Sequence, residues 1–123
     1  MDASTLWLII NVDDFGMSKG VNDAVFQLAR CSYISSTTVL INGEFLEELP
    51  TLASLDQLEI GLHFNLTRGR PISSENTVAT LVDPSGSFHS LPELLRRLAK
   101  FQISLFDIRR ELRAQLDKFH ELV

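Results

Sequence analysis

The sequence predicts an α/β fold built on a mainly parallel sheet, and three observations carry this. Short apolar runs rich in branched residues recur at residues 6–12, 37–41 and 58–66. Stretches with apolar residues at helical spacing separate them. The links are short, and a β-α-β-α-β order with short links lays successive strands side by side in parallel.

Each element has its own grounds. Residues 6–12 read Leu6-Trp7-Leu8-Ile9-Ile10-Asn11-Val12, a continuous run that suits a strand buried on both faces. Ser18 predicts a helix N-cap, with Val21, Val25, Leu28 and Ala29 following at helical spacing. Cys31, near the end of that helix, reads as a small apolar residue. Residues 37–41 are the second strand, stopped by Asn42-Gly43. Phe45, Leu46, Leu49, Leu52 and Ala53 predict a second helix, broken or bent near Pro50. Residues 58–66 are the third strand. Residues 67–89 then hold most of the turn formers, among them Gly69, Pro71, Asn76, Pro84 and Gly86. They predict a long loop, and loops of that length are often functional.

Ser90-Leu91-Pro92-Glu93 predicts a capping box opening a helix through about Lys100. Ser104-Leu105-Phe106-Asp107 repeats the device, and Leu105, Ile108, Leu112, Leu116 and Phe119 line one helical face after it. Arg96, Arg97, Arg109, Arg110 and Arg113 read as the solvated faces of these helices. Three parallel strands leave open sheet edges, an association hazard. Either a further strand hides in the loop, or other chains cover the edges, or these residues are the first part of a larger domain. Self-association into a homo-oligomer through exposed sheet edges is therefore expected.

Composition narrows the class. The chain has 123 residues, 45% of them apolar and 22% charged, the balance of a globular protein. The net charge of −5 argues against nucleic acid as the main partner, because phosphate binding needs a basic patch. A single cysteine rules out an internal disulfide. No apolar run approaches the roughly 20 residues of a membrane span, and no basic segment precedes the apolar run at residues 6–10. A cytoplasmic protein without a membrane partner is the expectation.

The chemistry-bearing residues sit at strand ends. Asp13 and Asp14 follow the first strand, and His63 lies at the end of the third, in Gly61-Leu62-His63-Phe64-Asn65. Ligands of α/β sheets and barrels bind at that rim. Side chains alternate along a strand, so adjacent carboxylates point in different directions. One then holds a metal while the other faces substrate; alternatively, one caps the following helix and the other is solvated. His63 is either a core histidine or a ligand. Asp with His is a mixed donor set that suits Zn²⁺, Mn²⁺ or Mg²⁺. Two ligands are fewer than the about three of a catalytic site. His89 in the loop and His120 on the last helix read as surface residues. There is no Gly-x-Gly-x-x-Gly, phosphate loop or Gly-x-Ser-x-Gly elbow, which counts against nucleotide binding and serine hydrolysis.

A set of motifs resembles the YdjC-like carbohydrate deacetylase family, which includes the chitooligosaccharide deacetylases. It comprises Asn11-Val12-Asp13-Asp14-Phe15-Gly16-Met17-Ser18, Gly20-Val21-Asn22, Ile34-Ser35-Ser36-Thr37-Thr38 and Val39-Leu40-Ile41-Asn42-Gly43. Gly61-Leu62-His63-Phe64-Asn65-Leu66-Thr67, Gly69-Arg70-Pro71-Ile72-Ser73 and residues 83–88 continue it in the family's order. The resemblance implies an incomplete β/α-barrel-like (TIM-like) fold. It implies that residues 1–123 are the N-terminal part of one deacetylase domain that removes acetyl groups from N-acetylated sugars with a divalent metal, Mg²⁺ or Zn²⁺. It implies Asp14 and His63 as metal ligands and Asp13 as catalytic base. A further family histidine falls beyond Val123, and His120 is no replacement for it.

Two rivals remain. A receiver-type signalling module also carries an acidic pair after its first strand, but needs an aspartate where this third strand ends in His63-Phe64-Asn65. The other is a catalytically silent fragment or family member that binds carbohydrate or self-associates. The enzymatic reading requires Asp14 and His63 to face one another within reach of a shared ion.

Overall fold

The computed structural model describes residues 6–123. Its elements are β1 (Asn11–Phe15), α1 (Lys19–Arg30), β2 (Ser36–Val39), α2 (Leu49–Ala53), β3 (Glu59–Leu62), α3 (Leu91–Ala99) and α4 (Leu105–Leu122), with a 3₁₀ turn at Glu75–Thr77. The strands form one parallel sheet in the order β1-β2-β3. This is the α/β, mainly parallel arrangement expected of an incomplete β/α-barrel-like fold, and the described strands do not close into a barrel.

The sheet has two unlike faces. Val12, Phe15, Thr37, Val39, Ile60 and Leu62 turn toward the helices, where Phe15, Thr37 and Val39 are fully buried. Val25, Phe26 and Ala29 of α1 and Leu49 and Leu52 of α2 close over them. The Phe15 and Phe26 rings meet edge to face, 5.9 Å between centroids. Asn11, Asp13, Ser36, Thr38, Glu59 and Gly61 alternate with these residues and occupy the other, polar face. The expectation of a first strand buried on both faces is corrected: one face is packed and the other is open.

The first strand also begins later than the apolar run predicts. Leu6, Trp7, Leu8 and Ile9 lie outside it and are exposed, Trp7 at 91%. Only Ile10 is tied in, its carbonyl accepting from the Ser35 and Ser36 amides at 3.0 and 3.2 Å. A run of apolar residues shows affinity for a core, but it becomes strand only where a neighbouring strand supplies hydrogen bonds. The second and third strands are likewise shorter than residues 37–41 and 58–66.

α1 follows its sequence cues. The Ser18 hydroxyl accepts from the Val21 amide at 3.3 Å, and Val25 and Ala29 are buried. Cys31 is its exposed C-cap residue. Pro50 does not break the second helix; it lies in the first turn of α2, where its missing N–H is harmless. The expected capping box at Ser90 does not form. Ser90 is the N-cap of α3 but its side chain caps nothing, and Glu93 instead binds Arg96 and Arg97. Ser104 does cap α4, accepting from the Asp107 amide at 3.4 Å.

Residues 67–89 fold around a small core of their own. Val78, Leu81 and Phe88 are buried there, with Leu66, Val82, Ile103 and Ile108 packed against them. The sole pairing outside the named strands, among the described residues, is an antiparallel bridge between Val82 and Phe88. Asp83 shapes the turn between them by accepting from the Ser85 hydroxyl and the Ser85 and Ser87 amides at 2.6, 2.8 and 3.2 Å. The Ser85 hydroxyl bond in particular holds the Asp83 carboxyl below its usual range. His89, expected at the surface, is 4% exposed. The Val78–Leu81–Phe88 packing carries it inward, and its Nε2 has no hydrogen-bond partner. No helix among the described residues is long and apolar enough to cross a membrane.

Candidate functional site

The site begins with a distortion in β1. The register to β2 slips between Val12 and Phe15, so the strand carries an irregularity where Asp13 and Asp14 lie. Asp14 has φ +72°, the left-handed region that aspartate tolerates better than branched residues do. This breaks the strict alternation that would send Asp14 to the helix side with Val12. Gly16 follows at φ +93°, and a Cβ on Gly43 would run into the Gly16 carbonyl. The chain turns sharply after the acidic pair because these two glycines let the loops touch.

His63 enters from the next strand but one. Its amide donates to the Val39 carbonyl at 2.9 Å, which continues the sheet by one residue beyond β3. Its Nδ1 lies 3.5 Å from Asp14 Oδ1 and 3.8 Å from Asp13 Oδ1. Thr38, on the strand between, donates its hydroxyl proton to Asp13 Oδ1 at 2.7 Å and sits 3.0 Å from His63 Nδ1. With that proton given to Asp13, the contact to His63 suits the tautomer protonated on Nδ1. His63 would have to give up this proton to hold a metal ion at Nδ1. Asn11 Nδ2 also donates to Asp13 Oδ1 at 2.7 Å, and the Ser36 hydroxyl donates to Asn11 Oδ1 at 2.8 Å. Ser36, Asn11 and Thr38 thus form a chain of hydrogen bonds that fixes one oxygen of Asp13 and leaves the other open to solvent. The Asp13 side chain is 60% exposed, against 36% for Asp14 and 33% for His63.

The donor set fits a divalent metal. Two ligand bonds of about 2.1 Å meeting near a tetrahedral angle place their donor atoms roughly 3.4 Å apart. The observed Asp14–His63 separation of 3.5 Å matches that spacing. Among the described residues no group of three or more His, Cys, Asp and Glu side chains is arranged to close on an ion. Asp13 is adjacent but its near oxygen is engaged by Thr38 and Asn11. His89 is buried in the excursion's own core and His120 is exposed on α4, so neither joins the pair.

A pocket of about 500 Å³ is lined by Gly16 and Asn65, which follow Asp14 and His63 by two residues each. Its lining includes Asn42, Glu44, Asn65, Arg68, Arg70 and Ser87. Sequence reasoning passed over Asn42 and Asn65 as a strand stop and a strand end. Their side chains weave the wall together. Asn65 Nδ2 donates to Asn42 Oδ1 and to the Arg68 carbonyl at 2.9 and 2.8 Å. Asn42 Nδ2 donates to the Arg68 and Arg70 carbonyls at 3.0 and 2.9 Å. The sequence offered one cue, since both asparagines follow β-rich runs at the same rim.

Comparison with known proteins places this geometry in a family. Residues 7–122 match the family described as YdjC-like protein. The chain belongs to the YdjC-like family. A relative from Oceanobacillus iheyensis, named carbohydrate deacetylase, is 39% identical, covering 89% of this chain and 46% of that protein. A chitooligosaccharide deacetylase from Proteus mirabilis is 38% identical over 94% of this chain and 44% of its own length. The carbohydrate deacetylase of Danio rerio is 33% identical over 94% of this chain and 37% of its own. The chain spans less than half the length of these curated relatives. A solved structure from Enterococcus faecalis V583, titled a putative cellobiose-phosphate cleavage protein, superposes with a TM-score of 0.79 at 30% identity, covering 92% of this chain and 43% of that one.

Proposed function

We propose that this chain is the N-terminal part of a single β/α-barrel-like domain that removes acetyl groups from N-acetylated sugars with a divalent metal. The observation that carries the proposal is the approach of His63 to Asp14, 3.5 Å apart on the strand-end rim, with Asp13 beside them. The names of the relatives supply the substrate class: carbohydrate, and in particular chitooligosaccharide.

Asp14 and His63 would hold the metal, which when bound polarises an amide carbonyl and lowers the pKa of water. Asp13 accepts a proton from the attacking water at the oxygen that Thr38 and Asn11 leave open. The water oxygen bonds to the acetyl carbon, the C–N bond breaks, and the proton held by Asp13 passes to the leaving amine. Acetate and a free amino sugar result. Such a positioned base contributes about 10²–10⁴-fold. Thr38 and Asn11 hold Asp13 in place, and the pocket lined by Gly16 and Asn65 receives the sugar.

Asp13→Asn, in a protein extended to the full length of its relatives, is expected to retain Zn²⁺ affinity and lose acetate release from a chitooligosaccharide by that factor. Unchanged acetate release would overturn the role of Asp13. A second reading is a catalytically silent fragment that binds carbohydrate or self-associates, and the two-ligand set among the described residues favours it. Assaying this chain beside the extended protein separates the two.

A further inference from the structure

The long helix α4 was expected to bury an apolar face, yet its fully buried residues are polar: Glu111 and Gln115, both 0% exposed. Leu105, assigned to that face, is 71% exposed. Burying a carboxylate and an amide is costly unless every polar atom finds a partner. Here each one does. Glu111 Oε1 accepts from the Ile72 amide at 2.9 Å and from Gln115 Nε2 at 2.8 Å. Glu111 Oε2 accepts from the Ser73 amide at 3.0 Å. Gln115 Oε1 accepts from the Asn65 amide at 3.1 Å, and its Nε2 donates to the Asn65 carbonyl at 2.7 Å.

Four of these five bonds go to backbone, and the fifth joins the two side chains to one another. The four grip one segment at both ends: Asn65 where it leaves the sheet, and Ile72 and Ser73 within the excursion. Between the grips lie Arg68, Gly69 and Arg70, a wall of the pocket that Gly16 also lines. An apolar pair at 111 and 115 would serve packing alone. A paired acid and amide instead fix the path of the backbone, since their bonds have direction.

We propose that Glu111 and Gln115 are positioning residues that hold segment 65–73 in the shape of a sugar-binding wall, and so set affinity for an N-acetylated saccharide. The proposal rests on the deacetylase reading given above. Neither residue touches the Asp13–Asp14–His63 cluster, so their effect falls on binding and not on the chemical step.

The test uses Gln115→Met, which keeps volume and loses three hydrogen bonds, and the milder Glu111→Gln, which keeps shape and forfeits the bond from the Ser73 amide, read should the first fail to fold. Arg113→Ala, on the exposed side of the same helix, is the control. In Gln115→Met amide exchange at Asn65, and in Glu111→Gln amide exchange at Ser73, is expected to quicken about tenfold or more, the size of one or two buried hydrogen bonds lost. The Leu40 amide, bonded to Phe15 within the core, is expected to keep its wild-type rate. Titration with N,N′-diacetylchitobiose is expected to give a Kd weakened by about the same factor, and where the sugar is turned over, a raised KM with kcat within about twofold. Sugar bound equally by wild type and variants, with or without faster exchange, overturns the clamp while sparing the deacetylase reading. A wild-type protein extended to the full length of its relatives that binds no N-acetylated sugar overturns that reading and the clamp's part in it together.

Discussion

Asp14 shows how much of the site turns on one backbone angle. At φ +72° it sits where branched residues cost about 1–2 kcal/mol and where Asp and Asn are tolerated. Asp14→Asn is therefore expected to leave urea stability within about 0.5 kcal/mol, while Zn²⁺ binding by calorimetric titration is lost, because a neutral amide is a poor ligand. Asp14→Val is expected to lose both. Wild-type Zn²⁺ affinity in Asp14→Asn would remove Asp14 from the ligand set. His89 is the opposite case, a histidine with structural consequences and no part in the site. Burial, with Arg97 nearby, pushes its imidazole pKa below the usual 6.5. Its folded pKa thus lies below the unfolded one. The stability it confers is full above pH 6.5 and is lost as pH falls through the folded value. His89→Leu is expected to flatten the acid limb of a stability–pH curve just below pH 6.5, measured by urea unfolding. Asp14 and His63 were legible in the sequence because strand ends converge by topology. The burial of His89 was not, because it depends on Val78, Leu81 and Phe88 folding a loop into a core.

At the scale of elements, local cues worked where a helix governs its own ends. Ser18 caps α1 as expected, and Ser18→Ala is expected to cost about 1 kcal/mol, read as a lowered Tm. The same reasoning failed at α3, where Glu93 had two possible partners. It could reach back to the cap or forward to Arg96 and Arg97, and three charge-assisted bonds at 2.6–2.7 Å won. Those bonds hold the Glu93 carboxyl at about 2, against an ordinary 4.5. The folded pKa is the lower one, so the benefit is present above pH 4.5 and fades as pH falls toward 2. Because the pair is open to solvent, the effect is modest and salt-sensitive. Glu93→Gln is expected to lower α3 helicity by circular dichroism at pH 7, with the gap from wild type narrowing as pH falls from 4.5 toward 2. Equal helicity throughout would show that the fork contributes nothing. α4 marks the limit of periodicity as a guide. The helix itself was legible, but its buried face was not. The residues that Glu111 and Gln115 satisfy are backbone groups some forty to fifty positions upstream, which no local pattern reports.

For the molecule as a whole, the question is what happens to the apolar surface that the fold leaves out. Residues 6–10 present Leu6, Trp7, Leu8 and Ile9 to solvent at 77% or more, beside the open edge of β1. Burying such side chains stabilises by about 1.5–3 kcal/mol each. Among the described residues no strand pairs with the outer edge of β1, so that edge is open to backbone pairing. A second apolar surface lies on the α3–α4 corner, where Leu95, Phe101, Leu105 and Phe106 are each at least 55% exposed. The two surfaces differ in kind, since only the first adds backbone hydrogen bonding to hydrophobic contact. The chain is therefore expected to scatter light as a species heavier than its 13.8 kDa. Ile9→Lys, which sets a charge beside the open edge, is expected to shift it toward the monomer more than Phe101→Ser does. A larger shift from Phe101→Ser would move the contact to the helical corner, because a charge beside the strand edge opposes edge pairing and leaves helix contacts intact. A wild-type monomer at high micromolar concentration would mean that neither surface drives association, and that residues 6–10 fold back onto their own chain in solution.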